Sequence, residues 1–137
     1  MTKILFGIIT LLLLTACEDK SIVNVYDKTI LKSKIDCLKL AVFPQNKMII
    51  QSMKSLYTFD DRCPYTLDIS YKNGIRCNST QNVQSKTING FPSSYLNMNL
   101  RKGLSVKYSY YIDLREDVEK EDLEKGFERL KKDLMIK

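Results

Sequence analysis

The sequence predicts an α+β fold: a small antiparallel sheet of three to four strands packed on one face by helices, the last of them amphipathic. Three stretches predict it. In residues 65–71, Tyr65, Leu67, Ile69 and Tyr71 alternate with Thr66, Asp68 and Ser70, the period of a half-buried strand. Residues 94–114 read as a hairpin, with Leu96, Met98 and Leu100 before Arg101-Lys102-Gly103 and Leu104, Val106, Tyr108, Tyr110 and Ile112 after it. Leu123, Phe127, Leu130 and Leu134 then step by four, three and four, which places them on one face of a helix.

The chain begins with Met-Thr-Lys and an apolar run from Ile4 to Leu14. That run is too short to span a bilayer, which takes ~20 residues, and suits the apolar region of a secretion signal. It ends in Leu14-Thr15-Ala16-Cys17, which resembles the lipobox of bacterial lipoproteins. The resemblance covers the leader alone. It implies that residues 1–16 are a signal peptide removed by signal peptidase II and that Cys17 carries a diacylglyceryl group. In many species it also implies an acylated amine on Cys17. Among proteobacterial lipoproteins Asp directly after the cysteine favours inner-membrane retention; Glu18 stands here, so the outer membrane of the cell envelope is expected over the inner. Two or three acyl chains, at ~0.8 kcal/mol per buried CH₂, hold a protein firmly on lipid.

A cleaved chain would keep 121 of the 137 residues and lose Lys3, lowering the formal charge from +6 to +5. That length fits one domain with a modest core. The division expected is a lipidated tether over 17–28 and a single α+β domain over 29–137. Residues 61–115 hold eight Lys/Arg against three Asp/Glu, a basic middle that suits an anionic polymer or an acidic protein. Nucleic acid is not expected as a partner of an exported lipoprotein.

Residues 29–43 read two ways. Leu31, Ile35, Leu38 and Val42 have helical spacing with Asp27 as N-cap, whereas Leu38, Leu40 and Val42 alternate. A helix over 29–39 with an extended finish into Phe43-Pro44 is expected, because a residue before proline avoids the helical region. Pro44 to Tyr57 reads as a helix with Pro44 in its first turn and Ile49, Ile50, Met53, Leu56 and Tyr57 as its stripe. Asn73-Gly74 marks a tight hairpin returning through Ile75-Arg76-Cys77, since a type I′ turn needs positive φ. Residues 81–88 are a weaker strand, closed by a turn at Asn89-Gly90-Phe91-Pro92. The last helix spans Asp117 to Ile136, with Glu121–Lys125 and Glu128–Lys132 as i,i+4 pairs. Its Gly126 costs ~1 kcal/mol against Ala, which points to close contact with the sheet.

With Cys17 lipidated, Cys37, Cys63 and Cys77 remain. An oxidising compartment favours one disulfide among them. Cys63–Cys77 is expected, bracing the first hairpin; Cys37 with either partner stays open.

The chain has no histidine, the side chain best suited to proton transfer near neutral pH and the commonest metal ligand. A cysteine nucleophile therefore lacks its usual base, and scattered cysteines do not make a zinc site. No catalytic residue, metal or cofactor is expected. The expected function is that of a membrane-tethered, non-enzymatic binding or accessory lipoprotein of the envelope, in a secretion, pilus or conjugation assembly. Alternatives are an inhibitor, immunity or exclusion lipoprotein, and a lipid- or polymer-binding carrier. The expected contact residues for an envelope protein or anionic polymer are Tyr95, Tyr111, Lys107 and Arg101 on the open sheet face, with Arg76 and Lys86.

Overall fold

A computed structural model describes residues 20–75 and 92–137. The expected signal segment, Cys17, Arg76, Cys77, Lys86, the strand expected over 81–88 and the turn expected at Asn89-Gly90-Phe91 all lie outside the described residues. Seven elements carry the fold: β1 (Ile22–Val25), β2 (Lys39–Phe43), α1 (Lys47–Leu56), β3 (Tyr65–Lys72), β4 (Ser94–Lys102), β5 (Ser105–Leu114) and α2 (Lys120–Leu134). The architecture is α+β. Its sheet has five strands in the order β1-β5-β4-β3-β2, not three to four.

Both extra strands are edges: β1 lies in the expected tether, and β2 in the stretch whose spacing read as either helix or strand. The expected tether 17–28 contains β1, which pairs antiparallel with β5, Val23 facing Tyr110 and Val25 facing Tyr108. The helix expected over 29–39 shrinks to a 3-10 turn at Lys28–Lys32, where Asp27 Oδ1 accepts the Thr29 N–H at 3.0 Å. The helical spacing was a coincidence of burial: Ile35 and Leu38 are buried, but from chain outside any helix. Leu40 and Val42 then follow the alternation into β2, which runs parallel to β3 with Lys39 opposite Thr66. Pairing to a neighbouring strand satisfies the backbone of 39–43 in a way that local helical spacing does not foresee.

Helix α1 starts later than expected. Asn46, not Pro44, opens it: Asn46 Oδ1 accepts from the N–H groups of Met48 (2.9 Å) and Ile49 (3.4 Å), as a strong N-cap does. Ile49 and Met53 point into the core.

The parallel β2–β3 pair also decides the disulfide. Cys37 precedes β2 and Cys63 precedes β3, so the two strand starts lie side by side. Their Cα atoms are 5.8 Å apart and the bond is Cys37–Cys63, in place of the expected Cys63–Cys77.

Asn73-Gly74 is not a two-residue hairpin. Gly74 does take positive φ, 62°. Yet β3 pairs with β4, Lys72 opposite Tyr95, so the connection covers residues 73–93. The Ile75 N–H donates to the Ser93 carbonyl at 2.6 Å. Asn73 Oδ1 accepts the Val118 N–H at 3.0 Å and so fastens the approach to α2.

The β4–β5 hairpin forms, but its turn is at Gly103-Leu104 and not at Arg101-Lys102-Gly103, because Arg101 and Lys102 stay in β4; Gly103 has φ 60°. A bulge shifts the register: Leu100 faces Tyr108 but Arg101 faces Val106. The extra residue, Lys107, moves Val106 off the apolar face, and Leu104 at the turn is 96% exposed. Strict alternation back from Tyr108 places both on the apolar face.

Helix α2 carries the predicted stripe, and Leu123, Phe127, Leu130 and Leu134 are all fully buried. Glu119 and Asp122 form a capping box at its start. Glu121 pairs with Lys125 at 3.2 Å as expected, whereas Glu128 pairs with Lys131 at 2.7 Å and not with Lys132. Both helices lie on the same side of the sheet and touch: the rings of Tyr57 and Phe127 meet edge to face at 5.8 Å. Gly126 lies against β4 and β5, where a Cβ would stand 2.9 Å from Tyr110 Cε1 and 3.2 Å from the Met98 sulfur. At the far end Tyr108, fully buried, donates its hydroxyl to Asp133 at 2.7 Å, and Arg129 donates to the same oxygen at 2.9 Å.

Two outcomes check this architecture. Gly126→Leu, which favours helix by propensity, should destabilise by ~1–3 kcal/mol in urea unfolding because the close contact has no room for the side chain. Peptide mapping should join Cys37 to Cys63, and Cys63→Ser should cost ~3 kcal/mol of stability.

Candidate binding face

The buried residues Leu67, Ile69, Leu96, Met98, Leu100, Tyr108, Tyr110 and Ile112 fill the side of the sheet under the helices. Strand side chains alternate between faces, so the residues between them line the other side. No described element covers that side.

Strand register orders this bare face into rows. One row crosses all five strands: Phe43, Ser70, Asn97, Tyr111 and Ile22. The next holds Ala41, Asp68, Asn99, Ser109 and Asn24. On the other side of the first row lie Lys72, Tyr95 and Asp113. The floor is therefore small and polar, with large apolar groups at the two edges. Phe43 is 79% exposed and Ile22 54%. The Ser109 hydroxyl donates to Asn97 Oδ1 at 3.4 Å.

The structure brings Tyr95 and Tyr111 together. Their rings stack with centroids 5.8 Å apart and planes inclined by 25°. The Tyr111 hydroxyl donates to Asp113 Oδ1 at 2.7 Å. That bond first, and then burial, pushes the Tyr111 hydroxyl up from 10.0 to about 12. The phenol stays protonated and the pair keeps one arrangement through any physiological pH.

Arg101 and Lys107 sit further toward the hairpin turn, and each has an internal partner. Arg101 makes a two-pronged contact with Asp68, Nε to Oδ2 at 2.6 Å and Nη2 to Oδ1 at 3.0 Å, and Nη1 donates to the Gly103 carbonyl at 3.1 Å. Lys107 Nζ donates to Asp27 Oδ2 at 3.0 Å. Bonds from Thr29 first, and then from Lys107, lower Asp27 from 3.8 to about 2. The sequence showed the basic residues but not the acids that answer them, because Asp27, at the cap of the 3-10 turn, and Asp68, in β3, are far away along the chain. Arg76 and Lys86 lie outside the described residues.

The carboxylates are tied in the same way. Asp60 Oδ1 accepts from the backbone N–H and Nε of Arg62, at 2.9 and 3.3 Å, and these bonds hold it below the usual range. Asp68, Asp113 and Asp60 thus each meet a donor, not a second acid. Among the described residues no group of three or more His, Cys, Asp or Glu is placed to hold a metal ion.

Two clefts border α1. One, of about 390 Å³, runs between β2 and α1 and is lined by Leu40, Val42, Ile50 and Phe59 with Lys54 and Asp61. The other, of about 470 Å³, lies between Asp36, Lys54, Tyr57 and Lys137. The space between sheet and helices is filled by side chains of full burial such as Met98 and Phe127.

Sequence reasoning missed Ile22 because β1 lies in the expected tether, and Phe43 because the extended finish expected there was given no place in the sheet. Asn97 and Asn99 were legible as the polar alternates of Leu96, Met98 and Leu100. The chain matches no protein-family model, no curated protein and no solved structure.

The Tyr111–Asp113 bond has a pH signature. A hydroxyl whose folded value is raised contributes stability that is whole below about 10 and lost as the pH rises through about 12. In an absorbance titration of the tyrosines, Asp113→Asn should bring the Tyr111 transition down toward 10.0 and leave the remaining transitions in place.

Proposed function

We propose that this chain is a lipid-anchored protein of the bacterial cell envelope that binds a partner on the bare face of its sheet and performs no reaction of its own. The observation that carries the reading is the five-stranded sheet whose described helices all lie on one side. An antiparallel sheet can present one face to water. Here that face has a polar floor of Ser70, Asn97 and Asn99 between exposed Phe43 and Ile22. Aromatic groups beside hydrogen-bonding side chains suit a protein contact.

The internal pairing of Arg101 with Asp68 and of Lys107 with Asp27 favours a protein partner over a strongly anionic polymer, since two of the cations on this side of the sheet are already answered. The lipobox supports an accessory role in an envelope assembly, where the partner also lies close to the membrane. Carboxylates that each face a donor support binding over hydrolysis.

The test is capture from native envelopes with the anchor intact. Asn97→Arg places a long cation in the centre of the floor and should weaken recovery of the partner complex by ~10-fold or more. Glu124→Arg on the outer side of α2 should leave recovery unchanged. Equal recovery with Asn97→Arg and the parent protein, or no complex with either, would count against the reading.

A further inference from the structure

We infer that the domain meets the bilayer at the corner of the sheet where β1 begins, with Ile22, Tyr95 and Tyr111 in the headgroup layer of the membrane. This rests on the lipid-anchor reading above and adds the surface that contacts lipid. Only residues 18–21 separate Cys17 from Ile22. Five residue steps reach at most ~18 Å when fully extended. Ile22 is not a loose continuation of a tether; it is held in the sheet opposite Tyr111. An acyl-bearing Cys17 therefore pins this corner, not merely the chain, close to lipid.

The other end of the sheet lies beyond that reach. The hairpin turn at Gly103-Leu104 is seven residues along β5 from Tyr111, or ~24 Å at the rise of a strand. Leu104 is the most exposed large apolar residue described, at 96%. Exposure alone would choose it for the membrane, and the covalent reach chooses the opposite corner.

The side chains there have the right chemistry. Ile22 is half exposed on the bare face. Beside it the stacked rings of Tyr95 and Tyr111 present apolar bodies with polar hydroxyls, the kind of group that settles at headgroup level. Lys20 precedes the strand and Lys72 faces Tyr95, while Asp113 shares the corner through its bond to Tyr111. The mixed charge suits a zwitterionic headgroup layer and does not require an anionic one. With this corner on lipid, the floor residues Ser70, Asn97 and Asn99 are left for a partner that is itself at the membrane.

The chain contains no tryptophan, so single tryptophans report cleanly. Tyr111→Trp, Tyr95→Trp and Leu104→Trp are purified with the anchor intact and placed in phosphatidylcholine vesicles brominated near the headgroup end of the acyl chains. Circular dichroism confirms that each is folded, and two corner variants guard against the loss of one. Quenching several-fold stronger in Tyr111→Trp or Tyr95→Trp than in Leu104→Trp is expected. Equal quenching in all three, or the strongest in Leu104→Trp, would overturn the orientation. Flotation with the vesicles and the mass of the N-terminal peptide report the anchor separately. A floating, acylated protein quenched only in Leu104→Trp sinks the orientation alone; an unmodified Cys17 and no flotation sink both.

Discussion

The contact between α2 and the strands β4 and β5 is the constraint on which the rest depends. Gly126 has no side chain, and the helix lies so close that Tyr110 and Met98 occupy the space a Cβ would need. The cost of glycine in a helix is offset by the burial this approach allows, with Phe127 and Leu130 wholly removed from water. Tyr108 fixes the far end of the same helix through Asp133. Burial, and then the acceptor, push its hydroxyl well above the usual range, so the bond is a permanent donor–acceptor pair at ordinary pH. One helix face and one sheet face thus satisfy each other, and α1 completes the layer through Tyr57 and Phe127.

A layer closed in this way leaves the second sheet face with no described element on it. The face remains compatible with water because its central positions are Asn, Ser and Asp. Its charges are resolved locally: Asp68 takes Arg101 and Asp27 takes Lys107. Such part-exposed pairs contribute little to stability individually. What they change is the character of the surface, from a basic patch to a neutral polar floor with aromatic and aliphatic ends. The bulge at Lys107 contributes to this, since it turns Val106 outward and aims the lysine at Asp27.

The edges hold the functional geometry. β1 joins the N-terminal segment to the sheet beside Tyr111, and β2 carries Phe43 to the other margin of the same row. Both strands are short, four and five residues, and neither is bordered by a turn signal of the Asn-Gly kind. Their conformation comes from a neighbour's unpaired backbone groups, which no local pattern records. The disulfide follows from the same pairing. Cys37 and Cys63 are neighbours only because β2 and β3 run parallel and start together. Asn73-Gly74 is the converse case. Its glycine takes the conformation that its sequence favours, yet β3 pairs with β4 and not with the segment just after the glycine, because the buried faces of β3 and β4 outweigh a two-residue turn in setting register.

The sequence by itself determined the α+β class, the strand β3, the β4–β5 hairpin and the buried stripe of α2, because in each the spacing of apolar residues matches the period of the element. It also placed Tyr95 and Tyr111 on one face, since both fall at alternate positions of strongly patterned strands. Only the tertiary structure decided the two edge strands, the pairing of Cys37 with Cys63, and the acids that answer Arg101 and Lys107. Those features join residues far apart in the chain, and their free energy comes from pairing across the sheet, where linear periodicity carries no information.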